Sequence, residues 1–111
     1  MKIRISAQAR SDLDGIFAFI HLRQGRQAAE RFLEYAREAA GFLAKNPMAG
    51  PHPRWATRHR TLRFWVISRT NFIIYYFADG EEVNIERVLD GRRDVARIVG
   101  RGIEEPPNRE E

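Results

Sequence analysis

The sequence predicts an α+β domain in the order β-α-α-β-β-β. An N-terminal strand and an antiparallel helical hairpin come first, the hairpin packed on one face of a mainly antiparallel four-stranded sheet, and a short C-terminal helix ends the order. Three observations carry this. Two runs with apolar residues at helical spacing meet at Gly25. Three runs rich in β-branched and aromatic residues follow later, separated by turn dipeptides. Between the halves lies a loop punctuated by Pro47, Gly50, Pro51 and Pro53.

Lys2 to Ile5 reads as a short strand with Ile3 and Ile5 on one face. Ser6 is placed as a helix N-cap. Ala9, Leu13, Ile16, Phe17 and Ile20 form the stripe of the first helix, and Gly25 marks its break. The second helix spans about Arg26 to Lys45, with Ala29, Phe32, Leu33, Ala36, Ala40 and Leu43 as its stripe. Asn46-Pro47 ends it, because proline pushes the preceding residue away from helical geometry. The short break and the matching stripes predict a helical hairpin, and the many alanines let its helices approach closely.

The segment from Asn46 to Thr61 is longer than most connections. Strands are expected over Thr61–Ser68, Asn71–Phe77 and Glu82–Leu89, with turns at Arg69-Thr70 and Asp79-Gly80. Leu62, Phe64 and Val66 alternate with Arg63, Trp65 and Ile67, and the next strand alternates in the same way, so both sheet faces are largely apolar. One face covers the hairpin. The other is expected to stay uncovered and to require a partner; the competing expectation is that the C-terminal segment folds over it. In the last strand strict alternation would bury Arg87, and a bulge near Glu86-Arg87 would avoid that. Val95 to Ile103 reads as a short helix. The single domain is drawn over residues 1–103, and residues 104–111 read as a disordered charged tail.

The chain has 111 residues, a formal charge of +4 and no cysteine. Disulfides and thiolate metal sites are therefore unavailable. No apolar run reaches the ~20 residues of a spanning helix, and the N-terminus does not read as a signal peptide, so a soluble cytoplasmic protein is expected. The charge is uneven. No acidic residue falls between Ala39 and Ala78, a stretch that holds Lys45, Arg54, Arg58, Arg60, Arg63 and Arg69. Either this is a solvated basic surface or it docks nucleic acid or an acidic protein.

The most specific segment is Val83 to Asp94. A strand-like run stops at Asp90-Gly91, and Arg92, Arg93 and Asp94 follow at once. Glycine permits a sharp turn, which sets guanidinium groups at a sheet end. Arginine there can meet a partner or pair with a carboxylate.

Several pieces, in order, resemble the RelE/ParE superfamily of toxins from bacterial toxin–antitoxin systems, and its ParE-like branch in particular. Ala9-Arg10-Ser11-Asp12-Leu13-Asp14-Gly15-Ile16 is similar to the family's A-x-x-D-L-x-x-I opening. Asn46-Pro47-x-x-Gly50 is similar to its helix-ending P-x-x-G, and Leu62-Arg63 to the L-R that starts its second strand. Ile85-x-Arg87-Val88-Leu89-Asp90-Gly91-Arg92-Arg93-Asp94 resembles I-x-R-V-L-H-G-R-R-D, with Asp90 where the branch often has histidine. The resemblance covers about residues 2 to 99. It implies a toxin neutralised by a cognate ParD-like antitoxin with an acidic tail, which alone would reach operator DNA. For the ParE-like branch it implies inhibition of DNA gyrase by binding, without chemistry; for the RelE branch, ribosome-dependent mRNA cleavage.

RNA cleavage needs a base, an acid and cations at the phosphate. If the chain were a nuclease, Arg63, Arg87 and Asp90 would be its candidates. No tyrosine or histidine follows Leu89 before Asp94, and His59 in the basic loop is expected to be merely solvated. No metal or cofactor is expected, since His21, His52 and His59 lack zinc-site spacing and no glycine-rich phosphate loop is present. Trp55 and Trp65 are of a type that stacks on bases, yet packing is their expected role. For antitoxin binding the expected residues are Arg54, Arg58, Arg60, Arg63, Trp65, Tyr75 and Phe77. For target binding they are Arg92, Arg93 and Arg97.

Overall fold

Strand β1 (Lys2–Ile5) leads into helices α1 (Ala7–Gln24) and α2 (Arg26–Lys45), and strands β2 (Arg63–Val66), β3 (Phe72–Ala78) and β4 (Glu82–Asp90) follow. This is a computed structural model, and it describes residues 1–56, 61–93 and 97–98. The sheet order is β1-β4-β3-β2. β1 runs parallel to β4, and the other two pairings are antiparallel. The parallel pair arises because the helical hairpin carries the chain away between β1 and the meander.

Ser6 accepts the Ala9 N–H at 2.9 Å and so caps α1. Its backbone N–H reaches the Ile85 carbonyl at 2.9 Å, and its hydroxyl donates to the Glu86 carbonyl at 2.8 Å. One residue thus starts the helix and continues the edge of β4 beyond the end of β1. A single residue joins the helices. Gly25 has φ 96°, a conformation that side chains disfavour.

Tyr75 pairs with Arg87 but Tyr76 pairs with Ile85, so Glu86 is an extra residue in β4. The expected bulge is present, and it lets Val83, Ile85 and Val88 all enter the core beneath the hairpin. Ala9 from α1 and Phe32, Ala39 and Leu43 from α2 meet them there. Ala39 is a core position that the predicted stripe did not include.

The opposite sheet face differs from expectation. It is not left open. Leu62, Tyr75, Phe77 and Leu89 form a second buried cluster with Ala56, flanked by Trp55, Phe64, Ile73 and Ile98. The connection after α2 turns back across the sheet and brings Trp55 and Ala56 over it. Burial of these aromatic side chains stabilises by roughly 1.5–3 kcal/mol each. Arg97 and Ile98 are helical; the remainder of the expected terminal helix and the expected tail lie outside the described residues. Among the described residues no helix is long and apolar enough to cross a membrane.

Candidate functional site

The arginine-rich turn is built on Asp90. Its Oδ1 accepts from the Arg92 backbone N–H at 2.9 Å and from Arg92 Nε at 3.0 Å, while Oδ2 accepts from Arg92 Nη2 at 2.7 Å. The Arg92 side-chain hydrogen bond is the main cause holding the Asp90 carboxyl below its usual range. A carboxylate so held is a weak base. Gly91 donates to the Asn71 carbonyl at 2.7 Å, and a Cβ on it would lie 2.5 Å from Ile73 Cδ1. A side chain at Gly91 would have to displace the tip of Ile73. Arg92 remains largely solvent-facing beyond its ion pair, and Arg93 is exposed.

Arg87 points elsewhere. Its Nε meets Asp12 Oδ2 at 2.8 Å and its Nη2 meets Asp12 Oδ1 at 3.0 Å. Arg63 is engaged too, donating from Nη1 to the Met48 and Gly50 carbonyls at 3.1 and 2.7 Å. Tyr76 holds the same turn: its hydroxyl accepts from the Gly50 N–H and donates to the Pro47 carbonyl, both at 2.9 Å. Arg63, Arg87 and Asp90, the nuclease candidates, thus each serve a separate structural contact.

A cleft of about 670 Å³ opens on the outer sheet face. One wall is the loop Pro51-His52-Pro53-Arg54-Trp55, the floor is Phe64, Ile73 and Tyr75, and Gly91 and Arg93 form the far wall. The loop wall is set by the Phe64 N–H, which donates to the Pro51 carbonyl at 2.9 Å, and by His52 Nδ1, 2.8 Å from the Leu62 carbonyl. The Trp55 and Tyr75 rings lie 5.9 Å apart, centroid to centroid. Burial pushes the Tyr75 phenol up to about 12. Nothing in the sequence signalled that His52 would share a cleft with Arg93.

The residues expected to bind an antitoxin do not form one surface. Trp65 lies on the hairpin side, stacked on Phe42 at 4.9 Å, whereas Tyr75 and Phe77 lie on the other face. Tyr75 and Phe77 are 4% and 0% exposed, so they cannot be the open apolar face that was expected. Arg54 is exposed at the cleft. Arg58, Arg60 and His59 lie outside the described residues. The larger exposed apolar side chains instead include Phe42, Met48 and Val66, near the β2 edge, and Phe19 and Leu22 on α1. Arg97 is exposed beside Ile98. Among the described residues no group of three or more His, Cys, Asp or Glu could hold a metal.

The strand–hairpin–meander order, closed by the Asp-Gly-Arg-Arg turn, defines a small two-layer α+β fold. The family model described as the ParE toxin of type II toxin–antitoxin systems, parDE, matches residues 3–95, and the chain belongs to that family. Among solved structures, one chain of the chromosomal ParDE TA system from P. aeruginosa is similar in fold. Its TM-score is 0.66 at 23% identity, over 79% of this chain and 92% of that one. No curated protein matches the chain.

Proposed function

We propose that this chain is a toxin neutralised by a cognate ParD-like antitoxin, and that in the cytoplasm it inhibits DNA gyrase by binding, not by catalysis. The family match over residues 3–95 carries this reading. The engagement of Arg63, Arg87 and Asp90 in separate contacts supports it over mRNA cleavage by those residues.

The antitoxin surface that fits best is the β2 edge. β2 is an edge strand whose Phe64 N–H is taken by the Pro51 carbonyl, which leaves the Val66 end of the edge, and Phe42, Met48, Trp65 and Val66 give it an apolar margin. An extended segment can add to such an edge while its side chains fill the margin. For the target, Arg92 and Arg93, solvent-facing just past β4, and the exposed Arg97 are the proposed contacts.

Purified toxin should block gyrase supercoiling in a defined assay, and added antitoxin should restore it. Cutting of mRNA in the presence of ribosomes, with gyrase unaffected, would replace this reading with the endoribonuclease one. Normal growth of cells making the chain without its antitoxin would leave only an interaction module.

A further inference from the structure

We propose that the cleft between the Pro51–Trp55 loop and the Gly91–Arg93 turn binds single-stranded RNA. In it a base stacks on Trp55, phosphates meet Arg54 and Arg93, and His52 accepts a hydrogen bond from a ribose 2′-hydroxyl.

The cations come first. Arg54 and Arg93 reach the cleft from segments far apart in sequence, and among the described residues no acidic side chain lines it. Neither guanidinium makes an ion pair among the described residues. Asp90, which precedes the turn, is spent on Arg92. The turn therefore neutralises one arginine and leaves its neighbour for a ligand. Guanidinium groups suit phosphate, which they meet bidentately.

The aromatic groups narrow the choice. Tyr75 is buried, so the Trp55 ring above it, which is partly exposed, is the surface on offer. A flat aromatic ring beside cations is the usual platform for an unpaired base, and a duplex would hide the base faces. The volume of about 670 Å³ lies within the range that takes a drug-sized ligand, which suits a nucleotide or two.

His52 selects the sugar. The Leu62 carbonyl, 2.8 Å from Nδ1, can only accept, so Nδ1 carries the proton. On an uncharged imidazole so bonded, Nε2 is the remaining acceptor, and His52 lines the cleft. RNA offers a 2′-hydroxyl donor and DNA does not. An acidic peptide would satisfy the arginines but leave the ring face and this acceptor unused.

The inference is independent of gyrase as a target, because its test needs only the purified chain. Trp65→Phe leaves Trp55 as the sole indole, and its emission is followed on adding octauridylate, the matching deoxyribose octamer, or poly-glutamate. Octauridylate should quench it, with the deoxy octamer several-fold weaker and poly-glutamate weaker still. The log–log salt slope should be roughly −1.4 for two phosphate contacts, and Arg54→Glu or Arg93→Glu should abolish binding. His52→Asn keeps an N–H for the Leu62 carbonyl and removes Nε2, so it should bring RNA down to the level of DNA. Both arginines are exposed, and an unchanged melting temperature would show that those variants fold. No quenching by octauridylate, equal binding of RNA and DNA, or tighter binding of poly-glutamate would each overturn the proposal.

Discussion

Asp12 on α1 and Arg87 on β4 form a bidentate ion pair, at 2.8 and 3.0 Å, and Asp12 Oδ2 also accepts the Val88 N–H at 2.9 Å. The two side chains are 11% and 12% exposed. β1 stops pairing at Ile85, so without this carboxylate the Val88 donor at the strand edge would have no protein partner. Asp12 thereby ties the hairpin to the sheet and completes the edge of β4.

Removing one partner of this pair should be costly. Asp12→Ala leaves a guanidinium and an amide without acceptors, and a loss of about 3–5 kcal/mol is expected. Urea denaturation measures it. Replacing both partners, as in Asp12→Leu with Arg87→Met, should be less damaging than Asp12→Ala alone. Equal stability of Asp12→Ala and the parent would show that the pair holds nothing.

Gly50 should tolerate no side chain. A Cβ there would lie 2.4 Å from the Phe64 carbonyl oxygen and 2.6 Å from the Tyr76 hydroxyl. Gly50→Ala is expected to destabilise by roughly 1–3 kcal/mol through overpacking. Gly91→Ala meets the tip of the Ile73 side chain, which can move, so its thermal midpoint should fall less. Tyr76→Phe strands the Gly50 N–H and the Pro47 carbonyl, at about 1–3 kcal/mol.

Alkaline pH should loosen the outer sheet face. Tyr75 has its phenol raised to about 12 by burial, against an ordinary value of 10.0. A raised acid binds its proton more tightly in the folded state. Stability is thus fully present below pH 10 and declines as pH rises from there towards 12. Tyr75→Phe should flatten that decline, as read by denaturation midpoints across the range. An unchanged slope would mean that Tyr75 ionises freely.

The proposed antitoxin edge can be probed at Val66, which is 47% exposed. Val66→Glu should change folding stability by no more than about 0.5 kcal/mol. Affinity for the antitoxin, measured by calorimetry, should fall by tenfold or more. Unaltered affinity would move the antitoxin contact to another surface, such as Phe19 and Leu22.

Local patterns in the chain revealed most of the fold. The capping hydroxyl of Ser6, the break at Gly25, the Asn46-Pro47 stop and the bulge at Glu86 were legible because each depends on near neighbours in sequence. The candidate site was less so. Asp12 stood within a noted motif, but spacing alone could not supply Arg87 as its partner. Tyr75 and Phe77 were read as an open face because their alternation shows which side they take, not what lies over it.

The sequence by itself determined the elements, their order and the arginine-rich turn, since hydrophobic period, caps and breakers act over a few residues. Only the tertiary structure decided which charges are spent internally and which remain for a partner. It folded Trp55 and Ala56 over the second apolar face, set His52 and Arg54 opposite Arg93, and matched Arg87 with Asp12. Such pairings join residues distant along the chain, and they exist only once the core has brought those segments together.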